Sequence, residues 1–404
     1  MEYKDRETYD EIQQFLPQPQ IIALTGLRCV GKTTLMLKTI EDRVGEGFVP
    51  KRILYFSFDE LAGEEIREIL KEYCTLVETD LDEGAHLIFL DEIQKLEGWE
   101  NQLKALYDRF RKKIRFVISG SESLFIRREF HETLAGRLFE FQVSPLSYRE
   151  YLNFIDAKFE PLDFHERELS SSFDDFLLTQ GFLELVGVKE KAVLKRYVQD
   201  SVIDRVVFRD LPVLVGLKNI AVIRSLFNIF MEEPGQIVRL SELAGQLGVT
   251  RQTLSYYLSY LEDSFLIRKL YNYSPSRTKV ERKLKRYFPI VVSVDLLFKD
   301  DDLSRSRVFK WAVVNQLRAE FFWRDPYKHE VDVVLMNGGP VPIEVKYGKT
   351  NFKGLRAFMR KYHVAEGYTV TPTTEDCVED DGKTIEVVPA YKFLLQRSAW
   401  MNRS

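Results

Sequence analysis

The sequence predicts an α/β protein of several units, on three observations. Short apolar runs alternate with helical stretches from Gln20 to about Ser147, a glycine-rich loop joins the first run to its helix, and strand-like runs return after residue 276. Between these regions the pattern is helical. At 404 residues the chain exceeds one compact core and fits two to four units.

The runs IIALT, RILYFSF, HLIFLDE and IRFVISG are each bounded by polar residues. Runs of this length suit strands buried on both faces, so 1–147 is expected to be a parallel sheet wrapped by helices. From 148 to 218, stretches such as VLKRYVQDSVIDRVVFRDL place apolar residues three and four apart, which predicts a helical lid. Residues 219–275 outline helices followed by LIRKLYNY, the pattern of a winged helix-turn-helix. Residues 276–404 form a small α/β unit with strands VVSVD, EVDVVLM and VPIEVK and a helix from about Val308 to Glu320. The stretch PSRTKVERKLKRYF reads as a connector.

Hydrophobic residues make up 45% and charged residues 30%, a globular composition. A net charge of −4 excludes bulk electrostatic attraction to nucleic acid or anionic lipid, so such binding must come from local patches. Cys29, Cys74 and Cys377 are scattered, which argues against a disulfide framework or a zinc site. With no signal-like segment and no apolar run of membrane-spanning length, a soluble, cytoplasmic protein with no membrane partner is expected.

Gly26, Leu27, Arg28, Cys29, Val30, Gly31, Lys32 and Thr33 match GxxxxGK[ST] between the strand IIALT and the helix TTLMLKTIEDRV, and with Thr34 they are the expected nucleotide-binding residues. Glycines let such a loop curl so that its N–H groups face phosphate oxygens, and the helix adds its positive end. Lys32 is expected at the β- and γ-phosphates and the Thr33 hydroxyl at Mg²⁺. LIFLDE then ends a buried strand in two carboxylates. Asp91 is placed to hold the metal and Glu92 to polarise the attacking water. ATP and Mg²⁺ are the cofactors these residues imply. Arg137, with Arg127 and Arg128 nearby, offers a cation that could stabilise transition-state charge in a neighbouring subunit, which would require a homo-oligomer.

GLRCVGKTTL, LIFLDEIQKLEGWENQLKALYD, VISGSES and LAGRLFEFQVSPLSYREYL, in this order, resemble the AAA-type (additional-strand P-loop) ATPases of archaea and bacteria. Many of these carry a winged helix and a C-terminal domain resembling PD-(D/E)xK nucleases. The resemblance implies ATP hydrolysis and a polar side chain, Ser119 or Ser121, that senses the γ-phosphate. Relatives usually show GG-x-P in the lid, where this chain has Gln180-Gly-Phe-Leu-Glu184.

In SELAGQLGVTRQTLSYYLSYLE, Leu243, Ala244 and Leu247 form an inner face, Gly248 turns the chain, and Thr250 caps a second helix with Leu254, Leu258 and Leu261 inward. Arg251, Gln252, Ser255 and Tyr256, with Ser259, then face outward, able to enter a major groove or to meet a protein partner. Arg277, Lys279, Arg282, Lys283, Lys285 and Arg286 make a basic run that is either a phosphate-contacting patch or a solvated connector.

Glu330, Asp332, Glu344 and Lys346 lie on two β runs that would pair through Asn337-Gly338-Gly339. Their spacing matches the D…ExK constellation, in which Asp332 and Glu344 would hold a metal and Lys346 would position water and phosphate. The glutamate that relatives offer on the preceding helix is replaced at about Lys310. Three functions remain open: an ATPase acting on DNA, a nucleotide-dependent switch for a protein partner with no DNA role, and an active ATP-dependent nuclease.

Overall fold

The computed structural model describes residues 3–59, 63–120, 133–206, 219–276, 278, 280, 284–380 and 382–396. The chain forms two compact units. One holds Met1–Pro145 with a segment beginning at Asp204, and the other holds Leu146–Ile203 and Asn219–Ser404.

The first unit is built on five parallel strands in the order β2-β3-β4-β1-β5. They are β1 (Ile21–Thr25), β2 (Ile53–Ser57), β3 (His86–Asp91), β4 (Ile114–Ser119) and β5 (Leu138–Gln142). Every residue of β1 and β3 is buried, as the unbroken apolar runs require. Helices α1 (Glu7–Phe15), α2 (Lys32–Gly45), α3 (Ile66–Val77) and α4 (Trp99–Phe110) accompany the sheet. Ile69, Leu70 and Tyr73 of α3 and Leu103, Leu106 and Phe110 of α4 share a core with Ile88, Leu90, Phe116 and Ile118. Helix α2 stops at Gly47, whose φ is 92°, with Gly47 N–H donating to Val44 O and Phe48 N–H to Arg43 O. That is a Schellman closure with Gly47 as its left-handed residue.

The second unit centres on nine strands in the order β13-β14-β12-β11-β10-β9-β7-β8-β6. Helix α5 (Tyr148–Phe154) opens with a capping box between Ser147 and Glu150, and α6 (Glu166–Thr179) and α7 (Lys191–Tyr197) follow. Next come α8 (Ile220–Glu232), β6 (Gln236–Val238), α9 (Leu240–Gln246), α10 (Arg251–Asp263), β7 (Ile267–Asn272) and β8 (Lys285–Pro289). After the short α11 (Val294–Leu297) and α12 (Asp302–Gln316) come β9 (Phe321–Arg324), β10 (Glu330–Met336) and β11 (Pro340–Val345). Helix α13 (Lys353–Tyr362), β12 (Glu366–Thr371), β13 (Asp376–Asp380), β14 (Lys383–Pro389) and α14 (Ala390–Gln396) complete it.

The observed division cuts the chain at 145/146, 203/204 and 218/219, close to the expected boundaries at 147/148 and 218/219, but it keeps the expected lid with the later residues and has no cut at 275/276. Tyr148, Tyr151, Phe173 and Phe176 of the expected lid pack in one core with Phe309, Val313, Val345 and Phe393. Gln180 is part of the reason: its side-chain oxygen accepts the buried Val292 N–H at 2.7 Å, fastening the lid segment to this core. KRYFP is a strand and not a connector, because β8 pairs with both β6 and β7, and β7 in turn pairs in parallel with β9. VVSVD, expected as a strand, becomes the start of α11.

Candidate nucleotide site and its surroundings

Strand β1 delivers the chain at Gly26, whose φ of 137° suits glycine. A Cβ there would lie 2.2 Å from Val143 O, so the loop also lies too close to the segment after β5 for a side chain. Cys29 and Gly31 have φ of 63° and 92°, which curls the loop, while Leu27 and Val30 bury their side chains as anchors. Lys32 Nζ donates to the carbonyls of Gly26 and Leu27 at 3.0 and 2.9 Å, holding its ammonium over the loop. Thr33 and Thr34 are exposed at the start of α2.

The carboxyl end of β3 lies beside this helix start. Thr33 Oγ1 donates to Asp91 Oδ2 at 2.7 Å, and the Tyr55 hydroxyl of β2 donates to the same oxygen at 2.8 Å. Ser119 donates its hydroxyl to Asp91 Oδ1 and accepts the Glu92 N–H at 3.2 Å. Glu92 turns out of the strand with φ of 53°, and its Oε2 accepts Gln94 Nε2 at 2.6 Å. Two neighbouring strands and the start of α2 thus fix the orientation of one carboxylate.

A threonine hydroxyl and a carboxylate this close are hard oxygen donors that suit Mg²⁺. That ion takes one or two protein ligands and completes its octahedron with water and phosphate oxygens. The absence, among the described residues, of any group of three or more potential His, Cys, Asp or Glu metal ligands is compatible with that mode.

The structure locates two more of the expected site residues. Ser119 is fully buried and its hydroxyl is committed to Asp91 and Glu92, so it orients the acidic pair. Ser121, Arg127 and Arg128 lie outside the described residues. Arg137 sits at the amino end of β5, where its carbonyl accepts the Ile21 N–H. That is the end of the sheet opposite the loop after Thr25. Its guanidinium pairs with Asp108 at 2.9 Å, holding that carboxyl below its usual range. Arg137 therefore takes no part in the phosphate site of its own chain.

Three contributors were missed by sequence reasoning. Tyr55 is the polar tip in ILYFS, a signal that gains meaning once β2 is known to neighbour β3. Gln94 follows the acidic pair by two residues. Arg6, in the charged N-terminal stretch, is buried and donates to Val30 O and Ser144 O, each at 2.7 Å, bracing the loop from behind. Nothing local in the sequence marks it.

In the second unit, α10 is capped by Thr250, which accepts the Thr253 N–H at 3.1 Å, and Gly248 turns with φ of 66°. Leu254, Tyr257, Leu258 and Leu261 are buried, while Arg251, Gln252, Ser255 and Tyr256 are exposed, as the spacing predicts. Of the basic run, Arg277, Lys279, Arg282 and Lys283 lie outside the described residues. Arg286 is buried in ion pairs and is unavailable to a phosphate.

Strands β10 and β11 form the expected hairpin, with Val333 opposite Ile343 and a turn at 337–339. One step along this register sets Asp332 opposite Glu344. The metal-binding role expected of these two does not fit what surrounds them: Asp332 Oδ1 receives Lys310 Nζ at 2.7 Å and Arg286 at 3.4 Å, and Glu344 pairs with Lys346 at 2.6 Å.

Comparison with known proteins agrees with the first unit. Residues 18–152 match the family described as AAA domain, while 171–289 and 309–393 match two families described only as domains of unknown function (DUF8612 and DUF4143). An uncharacterized protein of Haemophilus influenzae is 27% identical over 66% of this chain and 66% of its own length. One of Methanocaldococcus jannaschii is 23% identical over 93% of this chain and 88% of its own. Among solved structures, RuvB of Thermotoga maritima aligns with 69% of this chain and 94% of its own at 17% identity, with a TM-score of 0.33. No described helix is long and apolar enough to cross a membrane. With its loop, helix and acidic strand end in sequence order on a five-stranded parallel sheet, the segment 18–152 that matches the AAA domain has the fold typical of P-loop ATPases.

Proposed function

We propose that the chain is a Mg²⁺-dependent ATP hydrolase whose nucleotide cycle acts on DNA through a winged helix-turn-helix at 219–289. The observation that carries the hydrolase reading is the 2.7 Å contact between Thr33 and Asp91 with Glu92 next in sequence. Gly26 to Thr34 would cradle the phosphates, Lys32 would turn from its loop carbonyls to the β- and γ-phosphates, and Thr33 with Asp91 would hold Mg²⁺. The bound ion would neutralise charge on the phosphate oxygens. Glu92, freed from Gln94, would accept a proton from the attacking water.

The DNA reading is supported by the helix order, by the antiparallel ribbon β6-β8-β7, and by the four exposed side chains of α10. A protein-binding switch is the second reading. It is favoured by the single cation, Arg251, among those four and by the burial of Arg286.

The test is ATP turnover of the full chain with and without duplex and single-stranded DNA, together with DNA binding across a salt series. Stimulated turnover and salt-sensitive binding are expected, with the salt slope reduced by about 1 in Arg251→Ala if that residue meets a phosphate. Turnover indifferent to DNA, with no binding at low salt, would discard the DNA reading and leave the switch.

A further inference from the structure

The acid pair at the β10–β11 hairpin is buried: Asp332 is 1% exposed and Glu344 6%. Around it stand three cations from three elements, Arg286 on β8, Lys310 on α12 and Lys346 just after β11. They face three carboxylates, Glu330, Asp332 and Glu344. Arg324 of β9 pairs with Glu330 as well, at 3.7 Å, so the cations of this cluster match or outnumber its carboxylates without any ion from solution.

The contacts of Asp332 leave a divalent ion no place on that carboxylate, whereas Glu344 pairs through Oε1 alone and its Oε2 is buried without a hydrogen-bond partner. Asp332 Oδ1 is taken by Lys310 at 2.7 Å and Arg286 at 3.4 Å, and its Oδ2 accepts the Val345 N–H at 3.0 Å. Both carboxylate oxygens are engaged. Mg²⁺ requires oxygen at about 2.0–2.1 Å in an octahedron. Seated on Oδ1, it would be within a few ångströms of the Lys310 ammonium and the Arg286 guanidinium in a buried setting, where like charges repel strongly. Arg286 cannot readily swing aside, since it also pairs with Glu330 and lies 5.0 Å over the Phe322 ring. Lys310 is fixed on the middle of a helix whose neighbours Phe309, Trp311 and Ala312 are buried in the core.

We infer that Lys310 is the resident cation of this acid pair, standing where the paired carboxylates would otherwise hold a divalent metal. The second unit binds no Mg²⁺ or Mn²⁺ at Asp332 and Glu344 and does not cut DNA by a metal-dependent route. The cluster is a fixed electrostatic joint that ties α12 and β8 to the hairpin. This inference is independent of the ATP site.

Mn²⁺ binding measured by paramagnetic resonance tests it directly. The full chain is used without nucleotide and with Asp91→Asn to silence the first unit. No bound Mn²⁺ is expected at millimolar metal. One equivalent bound, and lost on adding Asp332→Asn, would overturn the inference. In the same background Lys310→Glu exchanges the resident cation for a third carboxylate and is expected to gain one Mn²⁺ that Glu344→Gln weakens at least tenfold. A folded Lys310→Glu chain that still binds none would show that the ammonium is not what excludes metal. Should that variant not fold, Lys310→Gln replaces it, with gain of Mn²⁺ binding expected and its absence counting against the inference.

Discussion

In the proposed reaction Lys32 holds the phosphates and Glu92 takes the proton of the attacking water, so their variants should part company. Lys32→Ala removes the ammonium held over the loop and is expected to lower ATP turnover by ~10²-fold or more, with weaker nucleotide binding. Glu92→Gln keeps the shape and is expected to retain binding of a fluorescent ATP analogue while turnover falls by ~10²–10⁴-fold. Normal turnover in Glu92→Gln would move the base elsewhere. Tyr55→Phe removes one donor from Asp91 Oδ2 while leaving Thr33 in place. A fall in turnover at low Mg²⁺ that excess Mg²⁺ repairs would mark Tyr55 as a positioning residue, whereas loss at all Mg²⁺ concentrations would mean wider damage.

At the scale of elements, the phosphate loop and α10 are held by different physics. The loop is fixed by tight backbone approach, with Gly26 against Val143 and Arg6 bracing Val30. Gly26→Ala adds a Cβ into 2.2 Å of space at an unfavourable φ and should cost about 3 kcal/mol, read by urea unfolding, together with loss of ATP binding. Helix α10 depends instead on a cap and an apolar face. Thr250→Ala deletes the acceptor for the Thr253 N–H and should cost about 1 kcal/mol. Because Thr250 is exposed and lies outside the first unit, basal ATP turnover measured without DNA gives the control.

On the scale of the whole molecule, the buried acid pair gives stability a pH dependence. Burial and the neighbouring Asp332 charge push the Glu344 carboxyl up from 4.5 to about 7, against Lys346 and Lys310. Burial also opposes ionisation of Asp332, but Lys310 and Arg286 outweigh it and hold that group down to about 2. The folded state therefore grips the Glu344 proton more tightly than the unfolded chain does. Its stabilising contribution is full below pH 4.5 and is lost as pH rises through about 7. Asp332 contributes in the opposite sense, with stability present above pH 3.8 and lost as pH falls through about 2. Glu330, Arg286, Arg324, Lys310 and Lys346, the other charged groups in this cluster, form ion pairs within it. Between pH 4.5 and 7 the swing contributed by this cluster belongs to Glu344 and should reach at most about 3 kcal/mol, beside the separate contributions of His86, pushed down by burial, and Asp174, pushed up by burial. Glu344→Gln should flatten it in denaturant unfolding at pH 5 and pH 7, and an unchanged slope would place the titrating group elsewhere.

The sequence by itself determined the fold of the first unit and singled out the residues proposed for its site because the informative residues are local. Gly26 to Thr34 form one contiguous loop and helix start, and Asp91 and Glu92 end a strand whose apolar run is legible without any partner. The exposed face of α10 and the β10–β11 hairpin were legible for the same reason, since helix spacing and strand alternation are short-range. Tertiary structure alone decided what faces those residues. Tyr55 and Ser119 meet Asp91 because β2, β3 and β4 are neighbours in the sheet, and Gln180 joins the lid segment to the second core across more than a hundred residues. Arg286 and Lys310 reach Asp332 from a different strand and a helix. A buried charge must find its counter-charge wherever the fold brings one, and sequence spacing does not encode that meeting.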